Sequence, residues 1–366
     1  MSARREVFLS GATGVLGSQL ALQLLEQPDT KLWLLIRARS QAQLEQRTAE
    51  LNTYLTAQGA RDLQTRVRCV RGDAELERYG IDTEQYARMS RSLTHVVHAA
   101  GDVHFQRTLD EARRTAVAGI SNAITLARDA ERPRKLDYVS TVGVAGRRDG
   151  WIYEVPQPVD GTRYRNSYEH AKAEAELLLL AEMARGLPAT IHRPTMIVGH
   201  SQTGQIKHPQ AFYFMIDYFL GRKGDGIVPD CTSIPMDTVP VDYVARAIDR
   251  SLQRPQFTGE ILHLSAGSAA LRLGEVVARA RAMLTLRGAQ LPSISTLALE
   301  AHALHLADKC RQGSRFHQAI SQFQPYFHDL IEFDNQRARA LLEPEGITLP
   351  SVDSYLERVL SWHWAR

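Results

Sequence analysis

The chain has 366 residues, of which 44% are hydrophobic and 23% charged, and a formal net charge of +3 at pH 7. This is an ordinary globular composition, long enough for one large domain with an elaborated second lobe. The charge is too small to imply nucleic acid, so none is expected as a partner. The three cysteines, Cys69, Cys231 and Cys310, are far apart, which argues against a disulfide framework and fits a reducing cytoplasm. None sits beside a cluster of metal ligands, so no metal is expected. There is no signal-peptide pattern, and no stretch approaches the roughly 20 apolar residues of a membrane span. A cytoplasmic protein with no membrane span follows as the expectation.

In chain order, the first predicted strand ends at Ser10 and runs into Gly11-Ala12-Thr13-Gly14-Val15-Leu16-Gly17, followed by a helical pattern at Leu20, Leu24 and Leu25. Such a strand-turn-helix is what a dinucleotide pyrophosphate requires. Gly11 permits the tight turn, Gly14 lets the backbone approach the phosphates, and Gly17 lets the helix pack closely on the sheet. The helix start, with Val15 and Leu16, points free N–H groups at the anion. Further strands are predicted at 32–36, 67–70, 95–99, 136–140, 190–192 and 261–264, alternating with helical patterns as in βαβ units. The alternation fails after about residue 200. Residues 201–235 are rich in Gly, aromatics and turn formers, and helices are predicted at 275–286, 296–310, 316–322, 335–342 and 351–360. The expected fold class is α/β, a Rossmann-type doubly wound parallel sheet with a smaller, mainly helical C-terminal lobe. Residues 1–200 plus 236–265 are assigned to the cofactor domain, and 201–235 plus 266–366 to the substrate lobe.

The second strand ends in Arg37-Ala38-Arg39-Ser40, where an acidic residue would select NAD. Two arginines and a serine suit a 2′-phosphate instead, so NADPH is the expected cofactor; the alternative is a strand that simply exits into solvent. Asp73, after the third strand, suits either the adenine or a plain turn. Ala99, Ala100 and Gly101 end the fourth strand with residues small enough for the cofactor to lie close. Ser140 and Thr141 place hydroxyls at the end of the fifth. Tyr168 and Lys172, four apart, share a helix face. An ammonium there would lower the tyrosine pKa toward neutrality and make Tyr168 a general acid, with Thr141 holding the substrate oxygen. Phe212, Tyr213, Phe214, Met215, Tyr218 and Phe219 form either an acyl-chain pocket or core. His208 and His317 read more simply as surface or packing residues than as ligands, and Trp362 and Trp364 as packing rather than a membrane-surface anchor. The runs Arg132-Pro133-Arg134-Lys135 and Arg147-Arg148 read as solvated surface or a face for an acidic partner.

These motifs, in this order, resemble the extended short-chain dehydrogenase/reductase family, and within it the thioester and fatty acyl-CoA reductases. The marks are the glycine turn, Leu35-Ile36-Arg37-Ala38, Arg71-Gly72-Asp73, the segment from His98 to Phe105, Ser140 to Ala145, and Phe333 to Ala338 followed by Gly346 to Pro350. The resemblance implies hydride transfer from NADPH to an acyl thioester, giving an aldehyde, with onward reduction to an alcohol left open. Thr141, Tyr168 and Lys172 match the family's catalytic positions, Arg37 its 2′-phosphate contact, and Pro194-Thr195-Met196 its loop beside the nicotinamide. One departure is Ala116, where many members carry an asparagine ahead of a Val-x-Gly-Thr; here the segment continues Val117-Ala118-Gly119-Ile120. With no adenylating or carrier domain in the chain, the thioester would arrive in trans on coenzyme A or a carrier protein. A sugar-nucleotide epimerase, dehydratase or ketoreductase on the same scaffold is the rival reading, and a non-catalytic NADPH-binding regulator is a further one.

Overall fold

The computed structural model describes residues 5–365. Seven strands form the central parallel sheet: β1 Arg5–Ser10, β2 Thr30–Ile36, β3 Val67–Arg71, β4 His95–His98, β5 Lys135–Val139, β6 Ala189–Pro194 and β7 Ile261–Leu264. Their order is β3-β2-β1-β4-β5-β6-β7. Val7, Phe8 and Leu9 in β1 are wholly buried. A strand covered on both faces needs a continuous apolar run rather than alternation, which is why this segment was legible as a central strand.

Helices cover both faces. Helix α1 Val15–Leu25 packs on α7 Val241–Gln253 on one side, and α4 Leu109–Asp129 packs on α5 Ser167–Ala184 on the other. Between them in sequence lie α2 Gln41–Ala57 and α3 Thr83–Ser92. α4 is opened by a capping box, Thr108 accepting from the Glu111 amide while the Glu111 carboxylate accepts from Thr108. The strand order runs outward in both directions from β1 and β4. That reversal leaves a crevice beyond their C-terminal ends, where open α/β sheets bind ligands.

The rest of the chain contributes α6 Ala211–Phe219, α8 Leu273–Leu286, α9 Leu299–Arg311, α10 Arg315–Ser321, α11 Gln336–Leu342 and α12 Val352–Trp364. A short strand pair stitches it to the sheet domain, Gly150–Ile152 running parallel to Ile331–Phe333, while Met196–Val198 pairs with Thr238–Pro240 within the sheet domain itself. The helix predicted at 296–310 begins later, at Leu299, because β-branched Thr296 pairs with Val228 in a short parallel strand. The six aromatic and apolar residues of α6 divide clearly. Phe212, Tyr213, Met215, Tyr218 and Phe219 are core, and Phe214 alone is partly exposed, packed on Phe316 and Phe323. Trp362 lies edge-on to Tyr213, and Trp364 donates to Asp217 at 3.3 Å, so both tryptophans pack onto the body. Among the described residues, no helix is long and apolar enough to cross a membrane.

Candidate active site

The glycine turn is built as tightly as its sequence demands. Gly11 sits at φ +77°, and a Cβ there would fall 2.7 Å from the backbone of Ala99 and Ala100. A Cβ on Gly17 would stand 2.1 Å from the Gly11 carbonyl oxygen. The Gly14 amide donates to that same oxygen at 2.9 Å. No side chain caps α1 at Gly14, so the amides of its first turn keep no side-chain acceptor, as an anion-binding helix start requires. The cradle that a Cβ would fill, together with these uncapped amides, fits a dinucleotide pyrophosphate.

Beneath the turn, Ser10 Oγ and His98 Nδ1 are 2.8 Å apart, tying the ends of β1 and β4 together. Burial, helped by the Lys172 charge, pushes the His98 pKa down to about 3, so the ring is neutral. Gly119 of α4 makes room for that imidazole, since a Cβ would lie 2.8 Å from its Nε2.

At the end of β2, Arg37 and Arg39 are exposed, and neither guanidinium is engaged by another described residue. Ser40 has a second employment as the cap of α2, accepting from the Gln43 amide at 3.2 Å. Asp73 accepts from the Glu75 amide at 3.1 Å, the geometry of a turn. Ala99, Ala100 and Gly101 line the crevice floor, and Ser140 is buried at the end of β5, its amide donating to the His192 carbonyl at 2.8 Å.

Thr141, Tyr168 and Lys172 come together. Thr141 caps a short turn, accepting from the Gly143 amide at 3.1 Å, and its hydroxyl lies beside that of Tyr168. Lys172 is buried and its Nζ donates to the Val139 carbonyl at 2.9 Å while lying over the Tyr138 ring. Burial pushes its pKa down to about 8. The expected depression of the Tyr168 pKa by Lys172 is not what the structure has. Burial holds that phenol above the usual tyrosine range, and the contact that opposes this is Thr141, because the ammonium is turned toward Val139. A narrow cavity joins Tyr168 and Lys172 to Gly101, Asp102, Ala112, Thr115, Ala116 and Ala171. Ala116 thus faces Tyr168 and Lys172 from α4, and its methyl leaves the space open.

Other residues of the site gave no local signal. Thr195 donates to the Asp237 carboxylate at 2.8 Å, which also accepts from the Ala266 amide at 2.8 Å. Burial lifts the Asp237 pKa to about 7. This carboxylate fixes the Pro194-Thr195-Met196 loop at the end of β6. Lys207 reaches back 194 residues to donate to the Thr13 carbonyl at 2.9 Å, over the ring of Tyr54. His208, beside it, is exposed. Tyr326 donates to Glu169 at 2.9 Å and accepts from Asn166 at 2.7 Å, anchoring the C-terminal segment to the start of α5. Phe105 packs against Tyr168, Phe323 and Tyr326 together.

Comparison with known proteins gives the family and the fold. The profile described as male sterility protein, an NAD-binding family, matches residues 9–248. The nonribosomal peptide synthetase asaC of Aspergillus flavus is 27% identical over 269 residues, 71% of this chain and 26% of that protein. The isonitrile lipopeptide synthase of Streptomyces coeruleorubidus is 32% identical over 249 residues, 66% of this chain and 16% of that protein. This chain therefore spans about a quarter or less of the length of these relatives. Among solved structures, the terminal R domain of the myxalamid biosynthetic pathway superposes with a TM-score of 0.83 at 24% identity, covering 99% of this chain and 91% of that one. With the profile spanning well over half its length, the chain belongs to the male sterility protein family of NAD(P)-dependent oxidoreductases, within the extended short-chain dehydrogenase/reductases.

Proposed function

We propose that this protein uses NADPH to reduce an acyl thioester, carried on coenzyme A or a carrier protein, to an aldehyde. The observation that carries the reading is the convergence of Thr141, Tyr168 and Lys172 on the crevice beside the glycine turn. The nonribosomal peptide synthetase relatives support a thioester rather than a sugar nucleotide as substrate. We assign residues 1–200 plus 236–265 to cofactor binding and 201–235 plus 266–366 to the acyl group, with cytoplasmic chemistry in keeping with three free cysteines.

The α1 amides and the carbonyl-anchored Lys207 hold the pyrophosphate, Arg37 and Arg39 the 2′-phosphate, and Thr195 with Met196 the nicotinamide face. When bound, NADPH supplies the hydride for the thioester carbon. Tyr168, kept protonated by its raised pKa, and Thr141 hold the carbonyl oxygen as charge develops, and the Tyr168 proton passes to it. The resulting hemithioacetal loses its C–S bond, the sulfur leaves as thiol, and the aldehyde is released. Lys172, anchored on the Val139 carbonyl, supplies positive charge to the cavity, and water entering through the space beside Ala116 replaces the Tyr168 proton.

Two consequences follow for measurement. Lys172 is charged below its pKa of about 8 and neutral above it, so kcat/KM should fall as pH rises through that value. A Lys172→Arg variant, charged throughout, should lack that limb in a pH profile. Lys207→Ala should raise the KM for NADPH about tenfold with little change in kcat, since one charge-assisted contact is worth about 1.5–3 kcal/mol. Steady-state assays with a fixed thioester check both. The reading itself is tested by following NADPH oxidation and free-thiol release with acyl-CoA and acyl-phosphopantetheine substrates.

A further inference from the structure

Away from the crevice, the C-terminal lobe gathers a second group of chemistry-bearing side chains. The loop after α6 turns through Gly221, Gly224 and Gly226, all at positive φ, and presents Asp225 to the α9–α10 hairpin. His305 of α9 places Nε2 2.9 Å from Asp225 Oδ2. His317 of α10 places Nε2 3.5 Å from Asp225 Oδ1. One ligand atom from each of the three residues lies within 4.8 Å of the others. Ligands about 2.0–2.1 Å from a tetrahedral ion stand about 3.3–3.5 Å apart, so small side-chain rotations complete the geometry.

Two further observations point to a ligand rather than to a simple ion pair. His317 is only 6% exposed, yet its Nε2 has no hydrogen-bond partner and looks toward the carboxylate. Its other ring nitrogen is already fixed, with Ser314 Oγ 2.7 Å from Nδ1, an outer contact that orients metal-bound imidazoles. The cation now beside the carboxylate is Lys309, whose Nζ is 3.3 Å from Asp225 Oδ2 on a flexible, partly exposed stem. His302, one turn before His305, is held by Tyr218 and stands behind the cluster.

We propose that Asp225, His305 and His317 form a binding site for a single zinc-class divalent cation, with water in the fourth position and Lys309 displaced. Two imidazoles and one carboxylate suit zinc and its Co(II) surrogate better than calcium or magnesium, which want oxygen ligands throughout. The ion would clip the 221–226 loop to the α9–α10 hairpin. Gly224 packs on Phe316, whose ring meets Phe214, and Phe214 meets Phe323, which touches Phe105 beside Tyr168. Occupancy would therefore brace one end of an aromatic wall whose other end is the catalytic tyrosine.

The test is titration of the tag-free, EDTA-treated full chain with Co(II) and then Zn(II). The expected result is one equivalent of Co(II) with visible ligand-field bands of a four- or five-coordinate site, displaced by one equivalent of Zn(II). Affinity should fall at least tenfold in His305→Gln and in Asp225→Asn. Asp225 lies in an exposed loop, so its variant should keep the wild-type circular dichroism even where a histidine variant does not. Absence of saturable binding, or binding that survives both substitutions unchanged, would overturn the proposal and leave a Lys309–Asp225 ion pair in its place.

Discussion

Replacing Tyr168 with Phe should lower thioester turnover by about a thousandfold while leaving the Kd for NADPH within about twofold of wild type. Positioned general acids contribute roughly 10²–10⁴ in rate, and this phenol has no substitute nearby. Lys172, which lines the same cavity, is committed to the Val139 carbonyl, and an aliphatic hydroxyl such as that of Thr141 is far too weak an acid to take over. The substitution removes one oxygen from a half-buried ring that packs on Phe105, so the fold should be indifferent to it. Single-turnover kinetics separate this from a binding defect. Loss of NADPH affinity in parallel with turnover would make Tyr168 a structural support instead. Unchanged turnover would move the proton donor elsewhere.

The second large effect concerns cofactor choice. The double variant Arg37→Ala, Arg39→Ala should lose about a hundredfold in kcat/KM for NADPH and change little for NADH. Both guanidiniums stand exposed at the end of β2 with no described protein partner, free to be spent on a phosphate. Two charge-assisted contacts at about 1.5–3 kcal/mol each would carry such a preference, reduced by their solvent exposure. Side-by-side kinetics with the two cofactors give the answer. An equal loss with both would place these arginines outside the 2′-phosphate site.

What the sequence made readable was local. The run into Gly11, Gly14 and Gly17 carries its own explanation, because each glycine answers a steric demand within ten residues or against the adjoining strand. The four-residue spacing of Tyr168 and Lys172 correctly put both side chains at one cavity. It could not reveal where the ammonium would turn, since Val139 is on another strand and the contact is tertiary. The tyrosine pKa expectation failed there. Lys207 on Thr13, Asp237 on Thr195 and Tyr326 on Glu169 bridge 194, 42 and 157 residues, with no periodicity to betray them. The Asp225–His305–His317 group escaped for the same reason. Its members come from a glycine-rich loop and two helices, so no local spacing marks the group. The aromatic run of α6 illustrates a different limit, because composition alone does not separate the partly exposed ring of Phe214 from its buried neighbours.

NADPH oxidation against a panel of acyl-CoA and acyl-phosphopantetheine thioesters, with free thiol and aldehyde quantified together, decides whether the substrate is a thioester. Sugar nucleotides and free aldehydes serve as controls. NADPH consumption should be matched by thiol release in equal amounts, and both should be abolished in Tyr168→Phe. Silence with every thioester, alongside turnover of a sugar nucleotide, would contradict it and leave the scaffold and its nicotinamide cofactor with a different substrate.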